Sequence, residues 1–357
     1  MKKISYEFIK ELPLNLEIMN MVSFLHECRG KQELFLESKK QILDKLVGVA
    51  KIQSVDKSNK IEGIKTSDKR LNEIVKKKSK PKNRNEQEIA GYREVLEMVH
   101  SSFDSIRFSK NDILTLHKYL YKYSISGVGG HFKITDNFIE EENEFGEKII
   151  RFEPIKAINT EEYIEKLCAE YNNIIENTNM EPLLLIPCVI LDFLCIHPFS
   201  DGNGRMSRLL TLLLLYKAGY LVGKYISMEM LIEKTKESYY NVLQDSSENW
   251  HTNKNDYIPF LKYTLGILKE AYIEFESRFK MFANSKSKSV DRVYEIFEKS
   301  ITKISKAELI VLCPEISKKT IERALKALLD ENKIVMVGAG RSTSYIIKGR
   351  EKYETNY

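Results

Sequence analysis

The sequence lacks the features of a disulfide-rich, zinc-finger or secreted protein. Its five cysteines are scattered and odd in number, and none forms a Cys-x-x-Cys pair. This argues against a disulfide framework and against a cysteine zinc site, and it suits a reducing compartment. The N-terminus begins with two lysines but has no apolar run behind them, so we expect no secretory signal. Internal repeats and low-complexity tracts are also missing.

Long apolar runs are missing as well. The most apolar stretch, residues 183–196, is too short to span a bilayer and contains Asp192. We therefore expect a cytoplasmic protein with no membrane partner, in which this stretch is a buried helix. The net charge of +5 is only mildly basic, so it allows contact with nucleic acid or an acidic partner without requiring either.

Helical periodicity dominates the rest of the chain. It predicts helices over residues 31–61, 85–100, 110–123 and 160–177, with Asn85 and Glu88 forming a capping box at the start of the second. Two short apolar runs near residues 138–139 and 149–154, joined by an acidic stretch, predict a β-hairpin. A length of 357 residues suggests two or three domains. We predict an N-terminal helical region over 1–84, a core over 85–282 and a third domain over 283–357.

Residues 197–208 read His-Pro-Phe-Ser-Asp-Gly-Asn-Gly-Arg-Met-Ser-Arg and connect two apolar helices. Gly202 and Gly204 allow the backbone to approach a phosphate closely, and a helix N-terminus after the loop attracts anions. Asp201 is a suitable oxygen ligand for Mg²⁺. Asn203 can donate to a phosphate oxygen, and Arg205 and Arg208, three residues apart, share a helix face.

His197 is the nearby group suited to take a proton from a hydroxyl at neutral pH. Taken singly, a histidine before proline is more often a hydrogen-bonding residue at a helix end, and Asp-Gly-Asn-Gly is compatible with an ordinary turn. The density of phosphate-suited groups in twelve residues favours a polyphosphate site.

This string resembles the complete signature of the Fic family, H-x-F-x-D/E-G-N-G-R-x-x-R, and the resemblance extends over residues 30–265. It implies an all-α fold, namely a helical Fic core with a small β-hairpin flap. It also implies a protein adenylyltransferase that moves AMP from ATP to a Ser, Thr or Tyr hydroxyl of a target protein, the chain itself included. In the flap, Phe138, Ile139 and Glu140 would hold the target segment.

By the same resemblance, His197 is the general base and Asp201 holds Mg²⁺. The anion cradle would comprise Gly202, Asn203 and Gly204, with Arg205 at the β-phosphate and Arg208 at the γ-phosphate. Tyr239, Tyr240 and Asn249 would lie on the base side, although the two tyrosines are equally compatible with an aromatic core. The related Doc kinases carry lysine at the position of Gly204, so glycine here favours AMP transfer over phosphorylation.

An upstream segment, residues 58–63, reads Ser-Asn-Lys-Ile-Glu-Gly and resembles the inhibitory motif S/T-x-x-x-E-G/N of Fic proteins. Ser58 and Glu62 lie four residues apart on one helix face. The resemblance implies that Glu62 takes the guanidinium of Arg208 away from the γ-phosphate. The alternative is that Gly63 caps a helix and Glu62 is an exposed residue of its last turn.

Residues 290–348 resemble a winged-helix domain, with Ser317 as an N-cap of the recognition helix. Lys318, Lys319 and Arg323 on that helix, and Arg341 in the wing, are candidates for DNA contact. A protein-contact role is equally compatible with the sequence. A nucleotide-sensing DNA-binding regulator and a Fic transferase with another nucleotide donor both remain alternatives, and the sequence leaves open whether the chain forms a homo-oligomer.

Overall fold

In a computed structural model, the described residues are 2–13, 15–38, 40–124, 127–142, 148–283, 289–300, 303–313, 316–338, 340 and 343–350. Of these residues, 68% are helical, and they form 14 α-helices and only short strands. The predicted all-α fold class with a small hairpin is therefore confirmed. No helix within the described ranges combines the length and the apolar character that a membrane span requires.

The chain divides into two compact units. The first comprises Met1–Leu34 and Ala50–Ile273, and the second comprises Phe35–Val49 and Glu274–Tyr357. The domain limits predicted from the sequence remain predictions. Eleven helices run through or into the first unit, with the following bounds: α1 Leu16–Ser38, α2 Lys40–Ile61, α3 Asp68–Lys77, α4 Arg84–Ser102, α5 Lys110–Leu120, α6 Thr160–Asn177, α7 Pro182–Ile196, α8 Asn203–Lys217, α9 Met228–Lys234, α10 Lys236–Ser247 and α11 Ile258–Ala283.

The helix α7 is the apolar centre of the first unit. It opens with Pro182 at its first position, where proline needs no hydrogen-bond partner, and the Glu181 carboxylate caps it by accepting from Leu183 N–H. Nearly all of its residues are buried, including Asp192. The Asp192 carboxylate accepts hydrogen bonds from Trp250 Nε1 at 2.6 Å and from two tyrosine hydroxyls at 2.8 Å, so a charge-bearing group is tolerated in this core.

The N-cap of α4 differs from the prediction. The Asn83 side chain accepts from Glu86 N–H, so the helix begins two residues earlier than the predicted capping box at Asn85 and Glu88. Glu88 instead points into the protein, where only 5% of its surface is exposed. The capping-box pattern does not distinguish Asn83 from Asn85, because each is followed three residues later by glutamate.

The predicted β-hairpin is present. Strand β1 (Ile139–Glu142) pairs antiparallel with β2 (Lys148–Phe152), and the register shifts between Ile139 and Glu140. Apolar side chains on this hairpin remain exposed, with Ile150 at 60%. We call this two-stranded element the flap.

The second unit contains three short helices and a three-stranded antiparallel sheet. Helices α12 (Ser289–Lys299), α13 (Lys306–Leu312) and α14 (Lys318–Asp330) combine with β3 (Ile304–Ser305), β4 (Ile334–Val337) and β5 (Ser344–Ile347) in the sheet order β3-β5-β4. Ser317 caps α14 as predicted, accepting from Thr320 N–H. Its core contains Val293, Phe297, Leu309, Ile321, Leu325 and Leu328. The winged-helix assignment remains a prediction, and Arg341 lies outside the described residues.

Candidate active site

A short loop, residues 197–202, joins α7 to α8 and carries the motif. His197 ends α7 in the left-handed conformation, with φ of 50°, and its backbone N–H donates to Phe193 O at 3.0 Å. Gly202 precedes α8 with φ of 84°. A side chain would be strained there and would crowd the Tyr121 ring at 3.1 Å. The loop therefore reverses the chain within a few residues and brings His197 next to the start of α8.

The His197 imidazole is neutral at physiological pH. Burial, assisted by the positive charge of Lys133, lowers the pKa of His197 to about 4, against smaller opposing effects of the Leu194 backbone and of Glu62 and Asp201. No hydrogen bond of normal geometry reaches its Nδ1 atom. A neutral imidazole has one unprotonated ring nitrogen, which can accept a proton.

Arg208 is bound by the predicted inhibitory segment. Its Nε donates to Ser58 Oγ at 2.8 Å, and its Nη2 donates to Ser58 O at 3.0 Å and to Glu62 Oε1 at 2.7 Å. Burial lowers the pKa of Arg208, but the charge and hydrogen bond of Glu62, together with Tyr239 and Tyr92, outweigh burial, so the pKa is raised. Ser58 and Arg208 are both buried, whereas the Glu62 side chain is 31% exposed.

The Glu62 carboxylate also lies at the N-terminus of α8. A Cβ atom built on Gly204 would clash with Glu62 Oε1 and would come within 3.4 Å of Arg208 Nη1. A side chain at position 204 would therefore displace the Glu62 carboxylate from this place. Helix N-termini bind anions, and here the anion is a carboxylate of the same chain.

Asn203 and Arg205 are directed into the loop and the protein core. Asn203 accepts from Phe199 N–H at 2.9 Å and donates to Phe199 O at 2.7 Å, which closes the loop on itself. Arg205 is 1% exposed, pairs with Glu88 at 2.8 Å and donates to the Tyr121 hydroxyl at 2.8 Å. In this arrangement both side chains brace the loop, and neither lines the cavity described below.

Asp201, the predicted metal ligand, lies in the loop with its side chain 46% exposed. Its Oδ1 accepts from Gly202 N–H at 2.6 Å, while its Oδ2 lies 3.8 Å from Arg84 Nη2. Among the described residues there is no group of three or more side chains able to hold a metal ion. A cation at Asp201 would therefore need oxygen ligands from a bound nucleotide, the usual situation for Mg²⁺.

A cavity of about 470 Å³ opens beside the motif. His197, Gly204 and Arg208 form one part of its wall together with Glu62. The remaining wall consists of flap, α7 and α10 residues, namely Ile139, Glu140, Arg151, Phe152, Leu191, Leu194, Cys195, Tyr239, Tyr240, Leu243 and Ser247. A mostly apolar pocket with a few convergent polar groups is typical of a small-molecule site.

Both predicted tyrosines line this cavity, but differently. Tyr239 is 5% exposed and packs against Tyr263 and Phe260. Burial raises the pKa of Tyr239 and the charge of Arg208 opposes this, so Tyr239 lies at the Arg208 end of the cavity. The more open Tyr240 ring faces the Arg151 guanidinium at 5.8 Å. Two other predicted residues, Asn249 and Phe138, are exposed and outside the cavity wall.

Residues 107–215 match the family model "Fic: Fic/DOC family". These residues are a Fic domain. A Fido domain-containing protein of Dictyostelium discoideum is 35% identical over 92 residues, which cover 24% of this chain and 59% of that protein. The protein adenylyltransferase Fic of Drosophila grimshawi is 28% identical over 178 residues, covering 49% of this chain and 32% of that protein. The chain thus spans less than two thirds of the length of these curated relatives.

Solved Fic structures share the fold. A Fic family protein from Desulfovibrio desulfuricans aligns with a TM-score of 0.62 and 21% identity, covering 94% of this chain and 97% of the other. Fic-1 from C. elegans aligns with a TM-score of 0.57 and 20% identity, covering 72% and 71%. At this identity the likeness concerns the fold alone.

The Fic domain also uses residues that the sequence motifs did not reveal. Gly130 N–H donates to His117 Nδ1 at 3.0 Å, so Nε2 carries the proton and faces Asp201 O at 3.1 Å. The His117 ring stacks on Phe199 with centroids 3.6 Å apart. Burial lowers the pKa of His117 to about 4, which preserves the tautomer that holds the loop.

In the second unit, three of the four predicted basic residues lie on one helix. Lys318, Lys319 and Arg323 are exposed on α14, whose opposite face packs into the core through Ile321 and Leu325. Arginine or lysine on the free face of a helix is compatible with phosphate contact. DNA binding by this helix remains a prediction.

Proposed function

We propose that this chain is a protein adenylyltransferase that moves AMP from ATP to a Ser, Thr or Tyr hydroxyl of a target protein, the chain itself included. The observation that carries the proposal is the juxtaposition at one cavity of a neutral His197, the Arg208 guanidinium and the N-terminus of α8. These supply a base, a cation and an anion-binding helix end.

The chemistry follows from these groups. The target hydroxyl loses its proton to His197 while its oxygen forms a bond to the α-phosphorus of ATP. The bond from that phosphorus to the bridging oxygen of the β-phosphate breaks, and pyrophosphate leaves with the electron pair. Arg208 and the backbone N–H groups at the start of α8 would stabilise the negative charge of the phosphate oxygens. The flap would hold the target segment beside His197 by strand addition.

Asp201 is the residue of this chain that fits Mg²⁺. Its carboxylate is nearly half exposed within the loop, and its Oδ2 lies 3.8 Å from Arg84 Nη2. Bound Mg²⁺ would neutralise charge on the phosphates of ATP. The remaining predicted phosphate contact, Arg205, would act by bracing the loop, because its guanidinium faces Glu88.

We further propose that Glu62 inhibits this activity. Its carboxylate binds Arg208 and lies over Gly204, so it fills the place that a γ-phosphate would need. Lys236 Nζ donates to Ile61 O at 2.8 Å and so secures the end of α2 next to Glu62. A nucleotide entering this cavity would compete with the carboxylate for the same guanidinium.

The experiment incubates the purified chain with Mg²⁺ and a cell lysate as a source of targets, in parallel with ATP labelled at the α- or the γ-phosphate. In every lane the label above that of lysate without the chain is counted, because lysate kinases also use the γ-phosphate. We expect this added label on protein from α-labelled ATP alone. Label from the γ-position would indicate phosphoryl transfer, and label only from α-labelled GTP, CTP or UTP would indicate another donor. Protein that stays unlabelled in every lane, including a Glu62→Gly variant, would contradict the proposal and favour a nucleotide-sensing regulator.

The pH dependence gives a separate prediction. Because the pKa of His197 is lowered to about 4, the base stays deprotonated well below neutrality. The value of kcat/KM, which reports the free enzyme, should therefore be flat between about pH 5.5 and 7.5 and fall only at lower pH. An acid limb centred near the ordinary histidine value of about 6.5 would contradict the buried, neutral imidazole.

The alternative regulator function has its own test. If α14 contacts duplex DNA, the chain should bind a mixed-sequence duplex at low salt, and its affinity should fall steeply as salt is raised. The double substitution Lys318→Glu and Lys319→Glu should abolish this binding, whereas Lys156→Glu in the first unit should leave it unchanged. No binding at low salt would remove the DNA hypothesis and leave a protein-contact role for this unit.

A further inference from the structure

A segment between α5 and the flap contacts the backbone on both sides of His197. Lys133 N–H donates to Pro198 O at 2.9 Å, and Lys133 Nζ donates to Ile196 O at 3.3 Å. Lys133 Nζ also donates to Asn137 Oδ1 at 2.8 Å, and Asn137 Nδ2 donates to Phe199 O at 3.1 Å. The carbonyls of the residue before His197 and of the two residues after it are therefore all bound by this segment.

The His197 ring interacts with the Leu194 backbone, and the contacts of Lys133 and Asn137 hold the backbone on either side of that ring. A histidine base is usually oriented by an acceptor at its second ring nitrogen, but no hydrogen bond of normal geometry reaches Nδ1 here. Its backbone is also in the left-handed conformation, which is unfavourable for a residue with a side chain. The position of the imidazole therefore depends on the backbone that carries it.

The Lys133 ammonium is suited to this place by its charge. The last carbonyls of a helix lack partners and form the negative end of its dipole, and Ile196 is the last residue of α7. Lys133 is 3% exposed, and burial lowers its pKa to about 8, with Asp136 opposing this shift. At neutral pH the amine therefore remains largely protonated beside His197.

We propose that Lys133 is a positioning residue for His197: it fixes the backbone of the base and, through Asn137, ties that backbone to the start of flap strand β1. The inference rests on the proposed function, since it assigns a role in that same transfer reaction. Ile139 begins β1 only two residues after Asn137, so the strand that would hold a target and the histidine that would deprotonate it share one hydrogen-bonded support.

The test compares Lys133→Met, Lys133→Arg and Asn137→Ala, each in a Glu62→Gly background. Lys156→Met, an exposed lysine just after the flap, is the matched control. For Lys133→Met we expect kcat to fall at least about tenfold, toward the ~100-fold that a displacement of 1 Å can cost. The KM for ATP should change less than about twofold, because Lys133 does not line the nucleotide cavity. Lys133→Arg should restore most of kcat, and Lys156→Met should equal the parent.

A pH profile adds a readout that simple destabilisation would not change. The charged groups facing His197 are Lys133 before the flap, Glu62 after α2 and Asp201 before α8. Lys133→Met removes the cation, so the acid limb of kcat/KM should move to higher pH, while Lys133→Arg should leave it in place. In the Glu62→Gly background this shift is measured without the opposing carboxylate.

The outcomes separate the inference from the proposed function. If the Glu62→Gly parent transfers no label, the proposed function is wrong and the positioning role with it. If the parent is active and Lys133→Met keeps its kcat and pH profile, only the inference is overturned. If Lys133→Met fails to fold, as judged by thermal melting, the Asn137→Ala variant is the deciding test. This variant keeps the Lys133 ammonium and removes the hydrogen bond to Phe199 O. An unchanged kcat for Asn137→Ala would reject the positioning role.

Discussion

Replacing Glu62 with glycine is expected to raise AMP transfer by about 10- to 100-fold. The Glu62 carboxylate holds Arg208 through a hydrogen bond of 2.7 Å, and the same oxygen lies over Gly204 at the start of α8. Hydrogen bonds between charged groups contribute about 1.5–3 kcal/mol, and each 1.4 kcal/mol corresponds to a tenfold effect. The substitution would free both the guanidinium and the helix end for a phosphate.

The measurement is the initial rate of label incorporation from α-labelled ATP, with wild type, Glu62→Gly and Glu62→Gln side by side. Glutamine keeps the size of the side chain and loses its charge, so an intermediate rate is expected. Glu248→Gly, at an exposed position after α10, serves as the control for a Glu-to-Gly change. Equal rates for wild type and Glu62→Gly would mean that the contact with Arg208 does not restrain the reaction.

The motif loop and most helices could be predicted because their determinants are local. Residues 197–208 are contiguous, so the resemblance to Fic proteins is enough to assign His197 and Arg208 to one site. The helix over 160–177 follows from apolar periodicity, and its bounds agree with the structure. Ser317 was identified as an N-cap from its immediate neighbours alone.

The roles of Arg205 and Asn203 could not be read from the motif, because their partners come from tertiary structure. The nearest charged partner of Arg205 is Glu88, which lies on α4, more than a hundred residues earlier in the chain. In this structure the guanidinium contacts Glu88 and the Tyr121 hydroxyl, and its predicted phosphate contact stays a prediction. Sequence spacing describes what a side chain can reach on its own helix, but not which neighbouring helix faces it.

His117 and Lys133 were missed for a related reason. Each is an isolated polar residue in the sequence, and nothing in its immediate neighbourhood distinguishes it from a surface residue. Both side chains are buried in the structure. His117 contacts Asp201 O in the motif loop, and Lys133 contacts Ile196 O directly before that loop.

In the Glu62→Gly background, His197→Ala is expected to lower AMP transfer by about 10²- to 10⁴-fold, the usual contribution of a general base. His197 is the one histidine among the described residues that line the cavity, so no second imidazole is available to replace it. Its low pKa means that the side chain contributes no positive charge to phosphate binding at neutral pH. The affinity for ATP should therefore stay within about twofold, because Arg208 and the N-terminus of α8 remain in place.

The assay measures transfer from α-labelled ATP, and fluorescence titration with a nucleotide analogue measures binding in the same preparations. His131→Ala is the matched control, since that histidine is exposed and lies outside the cavity wall. A loss of nucleotide binding in His197→Ala would assign His197 to the structure of the loop, where it ends α7 in a left-handed conformation. Transfer that falls less than tenfold with binding intact would require another base, and Glu140, on the flap at the same cavity, would be the first residue to replace.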